Sequence, residues 1–173
     1  MIKNREFKAK VNHLEWYEQK LLKLNPTFKG TDYQKDTYFN VGTDKKLKLR
    51  EGNIENALIY YERPEVADEK SATILLYKHQ PDVQLKLILE KLHGIDIIVE
   101  KERKIYFCDN IKVHFDQVKG LGTFLEVEAI KDEDSSITEL ELDKQCREMR
   151  VYFSIQDEQL LAYSYADLLR DVK

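Results

Sequence analysis

Four short stretches carry charged residues on alternate positions: Asn4-Arg5-Glu6-Phe7-Lys8, Lys46-Leu47-Lys48-Leu49-Arg50, Lys101-Glu102-Arg103 and Leu125-Glu126-Val127-Glu128. Side chains alternate faces along a β-strand, so Glu6 shares a face with Lys8, Lys48 with Arg50, Lys101 with Arg103, and Glu126 with Glu128. On an ordinary half-buried strand the charged face meets water and the apolar face meets a core. The same alternation serves equally well as the lining of a barrel whose outer wall is covered by helices. A lining that mixes carboxylates with Lys and Arg suits a metal-bound polyphosphate, because hard oxygens hold the ion and cations grip the phosphates. Two carboxylates on one face, as in Glu126-Val127-Glu128, repel each other unless a cation lies between them. These residues point to chemistry on a triphosphate.

The elements that must position them follow from turn and cap signals. The first strand is expected over about Ile2 to Val11, and Asn12 with Glu15 forms a start signal for a helix to about Leu24, stopped by Asn25-Pro26. Trp16, Tyr17, Leu21 and Leu24 read as the face of that helix that packs on the sheet. Strands follow from Lys29 to Lys78, broken by Gly42-Thr43-Asp44 and Gly52-Asn53, with Glu65 to Lys70 as a polar loop. Pro81 opens a helix whose apolar residues recur at helical spacing as far as Leu92, and Gly94 suits the position just past its end. A second strand set runs from Ile95 to Ile130, with turns at Cys108-Asp109-Asn110 and Lys119-Gly120-Leu121-Gly122. Ser136-x-x-Glu139 and Ser154-x-x-Asp157 read as caps of a third and a fourth helix. Two strand sets, each with a charged face, can close on one another.

Composition narrows the classes. The 173 residues form one expected domain, 1–173, long enough to bury roughly 70% of its unfolded surface. A net charge of −4, with Lys and Arg in both halves, argues against indiscriminate nucleic-acid binding. Cys108 and Cys146 lack CxxC spacing, and the sequence carries neither a signal peptide nor an apolar run near 18 residues, the pattern expected of a reduced cytoplasmic protein away from membranes.

Taken in order, several motifs resemble one family. Asn4-x-Glu6-x-Lys8, Gln34-Lys35-Asp36-Thr37-Tyr38-Phe39, Leu47-Lys48-Leu49-Arg50-Glu51 and Tyr60-Tyr61-Glu62-Arg63 come first. Val99-Glu100-Lys101-Glu102-Arg103, the run from Phe115-Asp116 to Glu126-Val127-Glu128, and Ser164-Tyr165-Ala166-Asp167-Leu168-Leu169 follow. Together they resemble the CYTH superfamily, also called triphosphate tunnel metalloenzymes, and look most like class IV adenylyl cyclases. The resemblance implies an α+β fold: a closed antiparallel β-barrel of eight strands, a tunnel, with helices packed outside. It implies Mg²⁺ or Mn²⁺ held by Glu6, Asp116, Glu126 and Glu128, a triphosphate gripped by Lys48, Arg50, Arg63 and Lys101, and Lys8 and Arg103 at the leaving end. Six such cations against four carboxylates leave the bare lining at +2, and one divalent ion raises it to +4, the charge that matches fully ionised ATP. Without an anion such a lining repels itself. Asn4 stands where the family's first motif commonly has Glu, so a second metal site is expected to be weaker.

The implied activity is conversion of ATP to cyclic AMP and pyrophosphate, with hydrolysis of tripolyphosphate, thiamine triphosphate or a nucleoside triphosphate as the alternative. A non-catalytic polyphosphate or nucleotide sensor is a third reading, and relatives imply a homodimer. Singly, each charged residue is an unremarkable surface group, and Glu6 with Lys8 a solvated ion pair; the ordered set reverses that balance. His114 shares a face with Asp116 and reads as a strand-edge or tunnel-mouth residue rather than a ligand, while His13, His79 and His93 lack partner spacing. Gly120-Leu121-Gly122 is a hairpin turn, not a nucleotide loop. Cys108 reads as buried and inert, and Asp132-Glu133-Asp134 as a solvated loop.

Overall fold

A computed structural model of the chain describes residues 3–43, 45–62, 73–131 and 135–172. The order is β1 (Lys3–Lys10), α1 (Leu14–Leu22), β2 (Thr27–Phe39), β3 (Lys45–Glu51), β4 (Ala57–Glu62), β5 (Thr73–Lys78), α2 (Val83–His93), β6 (Ile95–Cys108), β7 (Ile111–Val118), β8 (Gly122–Lys131), α3 (Glu139–Tyr152) and α4 (Tyr165–Val172). All eight strands form one sheet in the order β1-β8-β7-β6-β2-β3-β4-β5, and every adjacent pair is antiparallel. The two strand sets meet along the long β2–β6 ladder. Among the described residues no helix is long and apolar enough to cross a membrane.

The register settles which residues share a face. Asp32 opposes Arg103, which opposes Asp116, and Gln34 opposes Lys101. His114 opposes Glu126, which opposes Lys8, while Glu6 opposes Glu128. All of these therefore line the inner face, together with Asp36, Lys48 and Arg50. The sheet is rolled: Lys112 Nζ on β7 lies 2.6 Å from Glu55 Oε1 in the β3–β4 loop, although β7 and β3 stand three places apart, about 14 Å in a flat sheet. The expected closed barrel is corrected on one point. β1 and β5 end the sheet, and no ladder joins them among the described residues. Side-chain bridges across the lumen hold the roll instead.

The outer face carries the alternate apolar residues. Phe7, Ala9, Val113, Phe115, Leu125 and Val127 pack under Leu21 of α1 and Met149 of α3 in the main core. Phe39 and Leu49 pack on Leu89 of α2 in a second cluster. A third differs in kind: Tyr38, Ile97, Val99, Val118 and Phe124 belong to the inner face, and Tyr165 and Ala166 of α4 cover them. α4 thus plugs one end of the lumen with apolar surface, leaving the polar lining beyond it.

Several helix starts differ from the expected ones. His13, with φ 59°, occupies the N-cap of α1 without a side-chain bond, so Asn12 does not cap it. α2 is capped by Asp82, whose carboxylate accepts from Gln84 N at 2.8 Å, and ends at Gly94 with φ 71°, where a side chain would be strained. Thr138 and Glu141 form the capping box of α3, two residues beyond the expected Ser136 and Glu139, which places Leu142 and Met149 in buried positions. Only a short 3₁₀ turn follows Ser154, over Asp157–Gln159, and the last helix begins after Ser164. Trp16 and Leu24 are exposed, leaving Leu21 and half-buried Tyr17 as the packed face of α1. Glu65 to Lys70 and Asp132-Glu133-Asp134 lie outside the described residues.

Candidate functional site in the rolled sheet

On the β2, β3 and β6 wall one carboxylate serves three cations. Asp36, 1% exposed, takes Arg50 Nε at 2.8 Å and Nη2 at 2.9 Å in a fork, Lys101 Nζ at 3.0 Å and Lys48 Nζ at 3.4 Å. Burial alone would raise the Asp36 carboxyl, but the Arg50, Lys101 and Lys48 charges hold it well below the usual range. The surplus charge falls on the deepest cation. Burial, with Arg50 and Arg103 opposing the help from Asp36, pushes the Lys101 ammonium down to about 7. Tyr38 adds its ring beneath Lys48, 5.5 Å away, and burial beside Asp36 pushes its hydroxyl up.

The β7, β8 and β1 wall holds more carboxylate. Asp116 is fully buried and grips Arg103 side-on, with Nε at 2.7 Å and Nη2 at 2.6 Å. Glu126 takes Lys8 Nζ at 3.2 Å and Arg103 Nη2 at 3.4 Å, and His114 Nδ1 lies 3.3 Å from its other oxygen. Burial works against both carboxyls; Arg103 holds Asp116 down, and Lys8 with Arg103 holds Glu126 down. Glu6 and Glu128 face each other across the β1–β8 pair. Asn4 Nδ2 donates to Glu128 Oε1 at 2.6 Å, so the amide acts here as a donor to the acid rather than as a ligand beside it.

The far end is braced by the β3–β4 loop. Buried Asp32 accepts from Ile54 N at 2.8 Å and Glu55 N at 3.0 Å, and Gly52 leaves no room for a side chain, since a Cβ would come 2.5 Å from Asp32 Oδ1. Glu55, so presented, takes Lys112, Arg50 at 3.3 Å and Gln34 Nε2 at 3.3 Å. Burial opposes its ionisation, yet Lys112 and Arg50 hold its carboxyl far below the usual range.

Of the ten site residues expected from sequence, nine are described, and all nine lie on the inner face by register. Glu6 is exposed on β1, whereas Lys101, Arg103 and Asp116 are deeply buried. Arg63 lies outside the described residues. His114 is corrected from a strand edge to the interior: it is 1% exposed and its Nε2 has no hydrogen-bond partner among the described residues. Asp36, Glu55, Lys112, Tyr165 and Asp167 enter the lining without a role that the sequence alone assigns. With Asp36 and Glu55 counted, the expectation of a self-repelling lining is corrected, because Lys8, Lys48, Arg50, Lys101 and Arg103 each have an acidic partner.

The donor chemistry of Glu6, Glu126 and Glu128, all hard oxygens on one strand pair, suits a divalent cation of the Mg²⁺ or Mn²⁺ type. As placed, Glu126 turns to Lys8 and Arg103 and Glu128 to Asn4, and no group of three His, Cys, Asp or Glu converges for a metal among the described residues. Asp116 is committed to Arg103 and to the Tyr165 hydroxyl, 2.7 Å away.

A rolled antiparallel sheet with this mixed lining defines a protein class, and residues 3–154 match the model of the CYTH domain; the chain belongs to the CYTH domain family. It is 28% identical over 175 residues to a Methanocaldococcus jannaschii protein named "Putative adenylate cyclase MJ0240", covering 94% of this chain and 96% of that one. A Pyrococcus horikoshii structure, the PH1012 protein, superposes with a TM-score of 0.83 at 24% identity, over 96% of this chain and 99% of that one. A Vibrio parahaemolyticus structure named as a "putative adenylate cyclase" gives a TM-score of 0.76 at 16% identity, over 96% and 97%. At these identities the structural matches speak for the fold.

Proposed function

We propose that the lumen is a metal-dependent triphosphate site and that the chain acts on ATP as an adenylyl cyclase. The observation that carries the reading is the division of the lining: three cations share Asp36 on one wall, while Glu6, Glu126 and Glu128 crowd the other. The first wall has charge to offer an anion, and the second has charge that calls for a cation. Lys48, Arg50 and Lys101 bind phosphate oxygens, Arg50 by its planar fork. Arg63, at its place in the sequence, would extend that set. Lys8 and Arg103 stabilise the charge that grows on the leaving pyrophosphate. Glu6, Glu126 and Glu128 would hold Mg²⁺ or Mn²⁺, which when bound supplies neutralisation of the phosphate charge. Asp116 serves as the anchor of Arg103. The ribose 3′-oxygen bonds to the α-phosphorus, its bond to the bridging oxygen of pyrophosphate breaks, and the hydroxyl proton is released. Such a transfer depends on alignment and charge neutralisation, which a rigid lining provides.

One observation favours a second reading, hydrolysis of a triphosphate. His114, with Nδ1 on Glu126 and Nε2 without a partner among the described residues, is built to accept a proton from a bound water. The test is to incubate purified protein with ATP, and separately with tripolyphosphate, in Mg²⁺ and in Mn²⁺, and to identify the products. Cyclic AMP with pyrophosphate supports the cyclase and orthophosphate the hydrolase. Binding without turnover leaves a sensor, and no binding of either anion overturns the triphosphate reading.

A further inference from the structure

α4 lies beyond residues 3–154, the stretch matched to the family, yet its side chains enter the polar lining. Tyr165 is 5% exposed, and its ring packs against Phe124 at a tilt of 53°, with centroids 4.9 Å apart. Its hydroxyl donates to Asp116 Oδ2 at 2.7 Å, the same oxygen that receives Arg103 Nη2 at 2.6 Å. Lys8 Nζ lies 4.3 Å from the ring centroid and Lys101 Nζ 6.0 Å from it. Two residues on, Asp167 takes Lys46 Nζ at 2.6 and 2.7 Å, and Ser164 Oγ lies 3.1 Å from the same ammonium. The helix is itself tied down: Asp167 accepts from Ser164 N at 3.1 Å, and Arg170 pairs with Asp96 on β6.

We propose that α4 is part of the anion site, with Tyr165 as a positioning residue that sets Arg103 through Asp116 and Lys8 through its ring, and Asp167 as the residue that sets Lys46. The proposal rests on the triphosphate reading of the lumen. An Arg held side-on by a carboxylate is only as well placed as that carboxylate, and a third hydrogen bond from a rigid aromatic stops Asp116 from turning. Burial and the charges of Asp116 and Glu126 push the Tyr165 hydroxyl well up, so it stays a donor across the working pH range. The ring holds the Lys8 ammonium from one side while Glu126 pairs with it at 3.2 Å, so the two together set its position.

The test uses the full chain and three variants: Tyr165→Phe, which keeps the ring and its volume, Arg103→Met, and the two combined. Tripolyphosphate affinity is measured by calorimetry and unfolding temperature in parallel. Tyr165→Phe should bind about 3- to 10-fold more weakly with little change in unfolding temperature, the loss of about one hydrogen bond's contribution. In the Arg103→Met background the same change should cost nothing further, since no guanidinium is left to position; a merely structural role would give additive losses. Independently of any ligand, solvent exchange of the Arg103 Nε proton should be several-fold faster in Tyr165→Phe, while that of Arg50, bonded to Asp36, stays the same. Wild type that fails to bind tripolyphosphate sinks the functional reading, and the exchange experiment then decides the positioning role alone. Unchanged Arg103 exchange, or equal losses from Tyr165→Phe in both backgrounds, overturns the inference.

Discussion

The two walls of the lumen are built from the same residue types in opposite proportion. Around Asp36 on β2 a single carboxylate holds Lys48, Arg50 and Lys101. On β1 and β8, Glu126 pairs with Lys8 and with Arg103 from β6, while Glu128 accepts from Asn4 and faces Glu6. Each wall is stable as it stands because a few counter-charges are shared, and each carries a surplus that only a ligand of opposite sign removes. Asp36 is committed to three cations, whereas on the opposite wall Glu126 is committed to Lys8 and Arg103 while Glu6 and Glu128 face each other. This makes the walls separately breakable.

Asp36→Asn should have the largest effect. It leaves Lys48 and Lys101 without their carboxylate and Arg50 with Glu55 alone, and breaking such a set by removing one member costs about 3–5 kcal/mol. Urea unfolding of the variant should show that loss, and tripolyphosphate should restore stability by mass action more strongly than in wild type. An Asp36→Asn protein as stable as wild type would mean that the cationic wall is not held by this carboxylate.

Lys101 supplies a pH signature of the same wall. Its pKa falls from 10.5 to about 7 on folding, so between those values the unfolded chain binds a proton that the folded chain does not. Stability therefore rises with pH across that window, with a slope of up to about 1.4 kcal/mol per pH unit, and the contribution is most adverse below pH 7. Lys101→Met should flatten the rise between pH 7 and 10. An anion bound beside Lys101 should pull its proton back on, so tripolyphosphate binding at pH 8 should take up protons, seen as a heat that varies with buffer ionisation enthalpy. Identical heats in phosphate-free buffers of different ionisation enthalpy would place the anion elsewhere.

Much of this division was legible in the sequence, because a period of two is enough to put Glu6 with Lys8 and Glu126 with Glu128 on one face. What the period cannot supply is partnership across the lumen. Lys112 meets Glu55 from 57 residues away, a contact that exists only once the sheet rolls, and Lys101 meets Asp36 from 65 residues away through the β2–β6 pairing. Asp36 stood inside a recognised motif but offered no local sign that it would serve three cations. Tyr165 read as part of a helix, and only the packing of α4 on inner-face residues turns it into the lining. The cap of α3 slipped by two because Ser136-x-x-Glu139 and Thr138-x-x-Glu141 are overlapping capping boxes, and burial of Leu142 and Met149 selects between them.

The acidic wall answers to smaller changes. Glu128→Gln keeps the shape and an acceptor for Asn4 but removes one of two charges that face each other across β1 and β8. Without metal, stability should hold or rise by about 0.5 kcal/mol, the scale of a like-charge cross-strand pair. The rise in unfolding temperature produced by Mn²⁺ in wild type should shrink in the variant. Glu126→Gln should behave differently and destabilise, because Lys8 and Arg103 both lean on that carboxylate. If both variants lose stability alike, Glu128 is a structural partner and the wall is not a cation site.

Asn4 is where the smallest stability change meets the clearest functional consequence. Its amide now donates to Glu128, easing the repulsion between Glu128 and Glu6 without adding charge. Asn4→Glu replaces that donor with a third carboxylate on the same strand face, so the metal-free protein should lose a few tenths of a kcal/mol to about 1 kcal/mol. Divalent-ion affinity should rise at the same time, since a fourth carboxylate then joins Glu6, Glu126 and Glu128. The effect on chemistry follows from what each nucleophile needs. A ribose 3′-hydroxyl is tethered to the phosphate it attacks and needs placement, whereas water must be recruited and polarised, which a more acidic wall favours. The ratio of orthophosphate to cyclic AMP formed from ATP should therefore rise in Asn4→Glu relative to wild type, with the Mn²⁺ concentration for half-maximal activity falling. A variant in which neither quantity moves would place Asn4 outside the cation's reach and shift the acidic wall's centre toward Glu126.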